Sequence, residues 1–406
     1  MGSYPTRLLR EICDSVEYGY TASSTADRVG PRFLRITDIV PDQIDWESVP
    51  FCEIEPRKLA KYRLQTGDVV IARTGATTGW AKYIINPPEA VFASYLVRIR
   101  LSPSVDSRYV GAVVESPVYK SFVQQHMGGA AQPNANAQVL TSFAVPLPPL
   151  PIQRRIASIL SAYNELIENC QRRIQILEQM ARALYREWFV KFRYPGHESV
   201  PLVPSPLGEI PEGWRVCRLK EISQYINRGI APKYADDGMS LVINQKCIRE
   251  QRINLGPARR QAKSIPDDKE VRFGDVLINS TGVGTLGRVA QLYCDIDNCT
   301  VDTHVTIVRP SEEIDLDFFG CCLLDRQDHF ERMGVGATGQ TELGRDAVSE
   351  MEVVLPHSDI QRQFGTTVRG LRLSIPVLSE TIQNLRHTRD LLLPRLISGQ
   401  IDLDAA

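Results

Sequence analysis

The stretch 152–189, IQRRIASILSAYNELIENCQRRIQILEQMARALYREWF, decides the fold. Its apolar residues recur at gaps of three and four, which is the spacing of one face of an α-helix. Neither Gly nor Pro interrupts the stretch, so it predicts one helix of roughly 57 Å at a rise of about 1.5 Å per residue. An apolar stripe of this width requires a partner helix. The stripe comprises Ile152, Ile156, Ile159, Leu160, Tyr163, Leu166, Ile167, Cys170, Ile174, Leu177, Met180, Leu184 and Trp188.

A second stretch with the same spacing begins 208 residues further along the chain. LPPLPIQRRI introduces the first stretch and LPHSDIQRQF introduces the second, so we interpret the two as an internal repeat. Pro376 lies inside the second stretch and predicts a kink or break near Ser374, and Pro394 predicts an early end. The second stripe comprises Ile360, Phe364, Val368, Leu371, Ile375, Leu378, Ile382, Leu385, Leu392 and Leu396.

The repeat extends into the segments that precede the two helices. LQTGDVVIARTG (64–75) matches VRFGDVLINSTG (271–282), and YLVRIRLS (95–102) pairs with HVTIVRPS (304–311). The β-branched runs DVVIA and DVLIN predict strands, and WAKYII and RVAQLY predict strands that return beside them. Each copy is therefore predicted to be a small α/β domain with a mixed, twisted sheet. Between the copies, residues 194–214 are rich in Pro and Gly and predict a linker or an ordered surface loop.

Composition sets broad limits on function. Hydrophobic residues make up 43% of the chain and charged residues 23%, which is typical of a soluble globular protein. No apolar run reaches the roughly 18 residues that span a bilayer, and the nine cysteines form no C-x-x-C pair. We therefore expect reduced thiols, a cytoplasmic location and no membrane. The net charge of −1 argues mildly against nucleic-acid binding, but basic clusters occur within 28–35, 57–63 and 249–263. A solvated surface is the alternative interpretation of these clusters.

Several motifs resemble catalytic or cofactor sites, but each lacks a feature that such a site requires. Residues 282–287 spell G-x-G-x-x-G, but a dinucleotide site needs a helix next, and RVAQLY predicts a strand. A tight turn that brings backbone N–H groups to a DNA phosphate and a plain hairpin remain the two alternatives. The NPPE sequence at 86–89 lacks the aromatic residue that stacks on an extruded base. No histidine repeats between the copies, so the chain is expected to perform no chemistry itself.

The arrangement resembles the DNA-specificity subunit of type I restriction-modification systems. The motifs that carry this resemblance are PLPPLPIQRRI, LYREWFVKF, SPLGEIPEGWRVCRLKEI and LLLPRLISGQI, together with GDVVIARTG and GDVLINSTG inside the domains. They cover nearly the whole chain and occur in the family's order.

The resemblance implies an α+β fold in which two repeated α/β target-recognition domains are separated by two long antiparallel helices, with pseudo-two-fold symmetry. The implied boundaries are 1–150 for the first recognition domain, 151–192 for the central helix, 193–214 for the linker, 215–357 for the second recognition domain and 358–398 for the C-terminal helix. Each domain would read one half of a bipartite site in double-stranded DNA. Two methyltransferase subunits would dock on the helices and methylate adenine at N6 with S-adenosylmethionine. Restriction subunits would add ATP- and Mg-dependent cleavage, and this chain would hold no cofactor or metal and have no catalytic residue.

Candidate site residues follow from residue type and position. Polar and basic side chains beside the glycine turns suit base-edge or phosphate contacts. The predicted DNA-binding residues are Arg35, Arg73, Thr74, Lys82, Gln132, Asn134, Lys246, Ser280, Thr281, Arg288 and Gln340. The predicted helix–helix packing residues are Ile156, Leu160, Tyr163, Ile174, Leu177, Leu184, Phe364, Leu371, Leu378, Ile382, Leu385 and Leu392.

Two further interpretations remain open. A coiled-coil scaffold that binds only proteins predicts no affinity for DNA even with partners present. A recognition subunit of a modification-only methyltransferase system predicts DNA binding and methylation without cleavage. Neighbouring genes for a methyltransferase and a helicase-type nuclease would discriminate among them.

Overall fold

The computed structural model describes residues 4–127, 135–334, 342–401 and 403, so the predicted Gln132, Asn134 and Gln340 lie outside the described residues. The chain divides into two compact units. The first comprises Met1–Asn169 and Ile382–Ala406, and the second comprises Cys170–Thr381. Within the described ranges, no helix is both long enough and apolar enough to cross a membrane.

The first unit is built on short strands that the β-branched runs form. Its strands are β1 (Thr6–Leu8), β2 (Cys13–Tyr18), β3 (Arg32–Leu34), β4 (Val69–Ala72), β5 (Ala81–Tyr83), β6 (Ala90–Phe92), β7 (Leu96–Leu101) and β8 (Ala144–Pro146). Its helices are α1 (Pro56–Tyr62), α2 (Ser107–Glu115), α3 (Pro117–His126) and α4 (Ala137–Leu140), and the long helix α5 (Leu150–Tyr185) begins in this unit.

The main sheet of the first unit has the order β2-β7-β4-β5 and is antiparallel throughout. All four residues of the central strand β4 are buried, as expected of the DVVIA run. Parallel pairing occurs in a separate two-stranded sheet of β3 and β6, and β1 pairs with β8. The parallel and antiparallel pairings that were predicted for one mixed sheet therefore lie in two separate sheets. Asp68, just before β4, is buried and accepts a hydrogen bond from Arg100 of β7 at 2.9 Å.

The second unit repeats this plan with additional short strands. Its strands are β9 (Leu202–Ser205), β10 (Gly208–Pro211), β11 (Arg215–Arg218), β12 (Ser223–Arg228), β13 (Ser240–Ile243), β14 (Ile248–Arg249), β15 (Arg252–Ile253), β16 (Arg259–Gln261), β17 (Val276–Asn279), β18 (Val289–Gln291), β19 (Cys299–Val301), β20 (Val305–Pro310) and β21 (Glu352–Leu355). Its helices are α6 (Leu316–Leu324), α7 (Gln327–Arg332) and α8 (Arg345–Ser349), and the long helix α9 (Ser358–Ile397) begins here.

The main sheet of the second unit, β12-β20-β17-β18, matches that of the first strand for strand. The parallel pair is again separate, here β13 with β19, and β11 pairs with β21. The ion pair is repeated as well. Asp275 is fully buried before β17 and receives two hydrogen bonds of 2.8 Å from Arg309 of β20. The α+β class predicted from the sequence is confirmed by these elements.

The repeated IQR motif fastens the start of each long helix to its own domain. Gln153 is buried, donates to the Pro148 carbonyl at 2.8 Å and accepts from the Asp106 N–H at 3.0 Å. Gln361 is buried in the same way. It donates to the Pro356 carbonyl at 2.9 Å and accepts from the Asp315 N–H at 3.2 Å. Asp106 and Asp315 cap α2 and α6, so each glutamine ties a long helix to the first helix of its domain.

The apolar stripes of α5 and α9 are covered unevenly. Of the predicted packing residues, Ile156, Leu160, Ile174, Phe364, Leu378 and Ile382 are buried, and Tyr163, Leu177, Leu184, Leu371, Leu385 and Leu392 are half-buried. Two further stripe residues, Leu166 and Met180, are exposed, contrary to expectation, because they lie at the edge of the stripe. The expected break at Pro376 is wrong: α9 continues through it to Ile397. A proline removes only one backbone donor, and the buried residues on both sides hold the helix together.

An aromatic cluster closes the end of α5 in the second unit. The helix ends in a π-helical turn, Arg186–Val190, which contains Trp188 and Phe189. The Phe189 ring lies 4.9 Å from that of Phe318 and 5.0 Å from that of Phe364, so α5, α6 and α9 meet there. The segment predicted as a linker or ordered loop is ordered: β9 and β10 form a hairpin. The rings of Tyr194 and Trp214 stack at 5.0 Å beside this hairpin.

Candidate nucleic-acid interface

The two glycine turns, residues 75–79 and 282–287, close the hairpins β4–β5 and β17–β18. In the first, the Gly79 N–H donates to the Ala72 carbonyl at 2.8 Å, and in the second the Gly287 N–H donates to the Asn279 carbonyl at 2.8 Å. Both glycines have positive φ, 87° and 76°, which other residues adopt only with strain. A strand follows each turn, as predicted, so the G-x-G-x-x-G sequence forms a hairpin here.

In the first unit, aromatic and basic side chains gather beside the glycine turn. The Arg73 N–H donates to the Tyr95 carbonyl at 3.0 Å, and the Arg73 guanidinium lies 4.8 Å from the centre of the Tyr18 ring. An Arg73 Nη1 also donates to the Ser94 carbonyl at 3.4 Å. Tyr18 and Tyr95 are 43% and 58% exposed, which is high for rings of this size. Thr74, the next residue, is half-buried.

In the second unit, the same backbone position carries different side chains. The Ser280 N–H donates to the His304 carbonyl at 2.8 Å, as Arg73 does to Tyr95. The His304 ring is exposed, and its Nδ1 lies 2.6 Å from Oγ1 of Thr281. Asp302 accepts from the His304 N–H at 2.9 Å, and burial raises the pKa of this carboxyl above its usual range.

Ser280 is a correction to the predicted set. The side chain is fully buried, and its hydroxyl lies 2.6 Å from that of Thr306 on β20. Because Ser280 follows a strand that is buried on both faces, its hydroxyl points into the domain and not toward a ligand. Thr281, one residue further, reaches the surface.

The other predicted residues are spread over both domains. Arg35 pairs with Asp38 at 2.9 Å, and this hydrogen bond raises the pKa of the guanidinium. Lys82 donates to the Asp42 carbonyl at 2.9 Å, lies 3.8 Å from Glu115, and has a side chain only 12% exposed. Arg288 donates to the Gly284 carbonyl at 2.7 Å within the glycine turn, and Lys246 is exposed.

Sequence reasoning missed four side chains at these turns. They are Tyr18 and Tyr95 in the first unit, and Arg228 and His304 in the second. Arg228 ends β12 as Tyr18 ends β2, and it pairs with Glu342 at 2.5 Å. The repeat alignment of YLVRIRLS with HVTIVRPS contained the signal. A criterion of repeated histidines does not detect this position, because the equivalent of His304 is a tyrosine.

Comparison with known proteins agrees with the resemblance. Residues 49–179 match the family model described as the type I restriction modification DNA specificity domain. The MjaIX specificity subunit of a type I restriction enzyme from Methanocaldococcus jannaschii is 23% identical over 345 residues, covering 84% of this chain and 77% of that protein. The MjaVIII specificity subunit from the same organism is 24% identical and covers 70% of this chain and 68% of its own length.

A solved structure shares the fold. The crystal structure of the S subunit of a type I restriction-modification system from M. genitalium has a TM-score of 0.59 and 16% sequence identity, covering 97% of this chain and 96% of that chain. This likeness concerns the fold. Together, the matched domain and the curated relatives confirm the resemblance to specificity subunits of type I restriction-modification systems.

Proposed function

We propose that this chain is the sequence-specific DNA-recognition subunit of a type I restriction-modification complex, with each globular domain reading one half of a bipartite site. One observation carries the proposal. The same surface turn is built twice, with the backbone hydrogen bond from Arg73 to Tyr95 matched by that from Ser280 to His304. The side chains at the two turns differ. A repeated scaffold with different side chains suits the recognition of two unlike DNA sequences.

We propose that α5 and α9 pack antiparallel and set the spacing between the half-sites, with pseudo-two-fold symmetry. In the first unit, Ile156 near the start of α5 shares a core with Leu396 near the end of α9. In the second unit, Tyr185 at the end of α5 shares a core with Val368 near the start of α9. The 36 residues of α5 correspond to about 54 Å, or roughly one and a half turns of DNA at about 34–36 Å per turn.

Partner subunits would supply the chemistry. Exposed apolar side chains on the two helices, at Leu166, Ile176, Met180, Leu373, Val377 and Leu391, support the docking of two methyltransferase subunits. We propose that those subunits bind S-adenosylmethionine and methylate adenine at N6. Restriction subunits would use ATP and Mg for cleavage. This proposal includes the DNA-contact residues predicted above, apart from Ser280, and the five domain, helix and linker ranges predicted above. The cytoplasmic location stays a prediction.

The test is a reconstituted complex of this chain with the methyltransferase subunit of its own genome. Genomic DNA methylated by the complex is sequenced on a single-molecule platform, and the methyltransferase subunit alone is the control. The proposal predicts methylation at one bipartite motif that depends on this chain. A stable protein complex with neither DNA affinity nor methylation would favour the protein-only scaffold. Methylation without cleavage after all neighbouring subunits are added would favour the modification-only system.

A further inference from the structure

We propose that Tyr95 and His304 are equivalent specificity-determining residues, one for each half-site, that contact base edges in the DNA groove. This inference rests on the proposed function and goes beyond it, because it assigns the reading of one position in each half-site to a single named side chain.

The two residues occupy the same place in the fold. Tyr95 lies in the tight turn between β6 and β7, and His304 lies in that between β19 and β20. The turns close with the same hydrogen bond, from Leu96 N–H to the Ala93 carbonyl at 2.8 Å and from Val305 N–H to the Asp302 carbonyl at 3.3 Å. Isolated bridges repeat as well, from Tyr20 to Ala93 and from Ile230 to Asp302. The backbone thus presents both rings from one scaffold position.

Each ring is available to a ligand. Tyr95 is 58% exposed, and its hydroxyl makes no hydrogen bond among the described residues. The hydroxyl can both donate and accept. The His304 ring uses Nδ1 toward Thr281, and its Nε2 has no partner in the described part of the chain. Because Thr281 engages Nδ1, it orients the ring and leaves Nε2 as the hydrogen-bonding atom. A side chain held by its neighbours reads a base at lower entropic cost than a free one.

The surroundings differ between the domains, and this difference predicts different bases. Beside Tyr95 lies the cation–aromatic pair of Arg73 and Tyr18, and an arginine there favours guanine, which offers O6 and N7 as acceptors. Beside His304 lies Thr281, whose methyl group suits contact with the thymine methyl. The two turns therefore read unlike base pairs, and the complete motif is asymmetric.

The experiment compares the methylation motifs of complexes made with wild-type chain, Tyr95→Ala and His304→Ala. Tyr95→Phe and His304→Gln are measured beside them, so that a variant with a folding defect does not decide the result. Val118→Ala in the first unit and Met239→Ala in the second are matched controls, because both residues are exposed and lie in other segments. Each variant complex is assayed for methylation rate on oligonucleotides with every single-base change in both half-sites.

We expect Tyr95→Ala to reduce discrimination at one position of one half-site by about tenfold or more, and His304→Ala to do the same in the other half-site. The control variants should keep the wild-type motif. The inference fails if the wild-type complex methylates a bipartite site and the Ala variants keep its full specificity, or if either variant alters both half-sites. Absence of a bipartite motif with the wild-type chain would instead overturn the proposed function.

Discussion

Replacing Gln361 by leucine should loosen α9 from the second domain. The side chain is 2% exposed and makes two hydrogen bonds, at 2.9 Å to the Pro356 carbonyl and at 3.2 Å from the Asp315 N–H. Leucine has a similar volume but satisfies neither group. Since each unsatisfied buried polar group costs about 1–3 kcal/mol, the free energy of unfolding of this region should fall by about 3 kcal/mol.

The assay is hydrogen exchange read by mass spectrometry on peptides that cover 313–324 and 356–370, measured against urea concentration. This local readout suits a chain of two units, in which a single melting temperature does not define one transition. Gln363→Leu is the matched control, because Gln363 lies two residues further along α9 and is exposed. Its effect should stay within about 0.5 kcal/mol. Equal exchange in the two variants would refute the anchoring role of the buried glutamine.

Three further outcomes follow from the same structure. Phe189→Ala should destabilise the second unit by about 3–5 kcal/mol because it empties the aromatic cluster, whereas the exposed Val190→Ala should change it by less than about 0.5 kcal/mol, both measured by hydrogen exchange of peptides from the second unit against urea concentration. Arg309→Met should cost about 3–5 kcal/mol in the same assay because it leaves the buried Asp275 without its cation, and the exposed Arg215→Met is the comparison, with little expected change. The chain without partners should neither methylate nor cut DNA, and methyl transfer from S-adenosylmethionine by the isolated chain would contradict the assignment of chemistry to other subunits.

The repeat in the sequence predicted the parts of the fold that depend on periodic burial. A helical stripe indicates one buried face of a helix, and a continuous β-branched run indicates a fully buried strand. The helices α5 and α9 and the strands β4 and β17 could therefore be located without a structure. The helix through Pro376 could not be predicted in this way. A local rule for proline omits the tertiary packing of residues such as Leu378 and Ile382, which stabilises the helix.

The candidate interface was harder to predict, because residue type says little about which way a side chain points. Ser280 and Thr281 are adjacent and similar, yet one is buried against Thr306 and the other reaches His304 at the surface. Tyr95 lies beside Arg73 because β4 pairs with β7, and the hydrogen bond from the Arg73 N–H to the Tyr95 carbonyl forms at the end of that pairing. Such pairings follow from sheet register, which the sequence pattern alone does not determine.

If two domains read DNA across a gap that the long helices set, a matched insertion in both helices should change that gap directly. Seven residues are added after Gln171 in α5 and after Ser379 in α9. Seven is close to two helical turns, so the apolar stripe is nearly preserved while each helix lengthens by about 10.5 Å.

The measurement is the methylation motif of the variant complex, mapped by single-molecule sequencing. The two half-site sequences should remain, and the non-specific gap between them should lengthen by about three base pairs at roughly 3.4 Å each. An active complex with an unchanged gap would contradict the claim that the helices set the spacing. Altered half-site bases with an unchanged gap would contradict it further, because they would place base recognition on the helices.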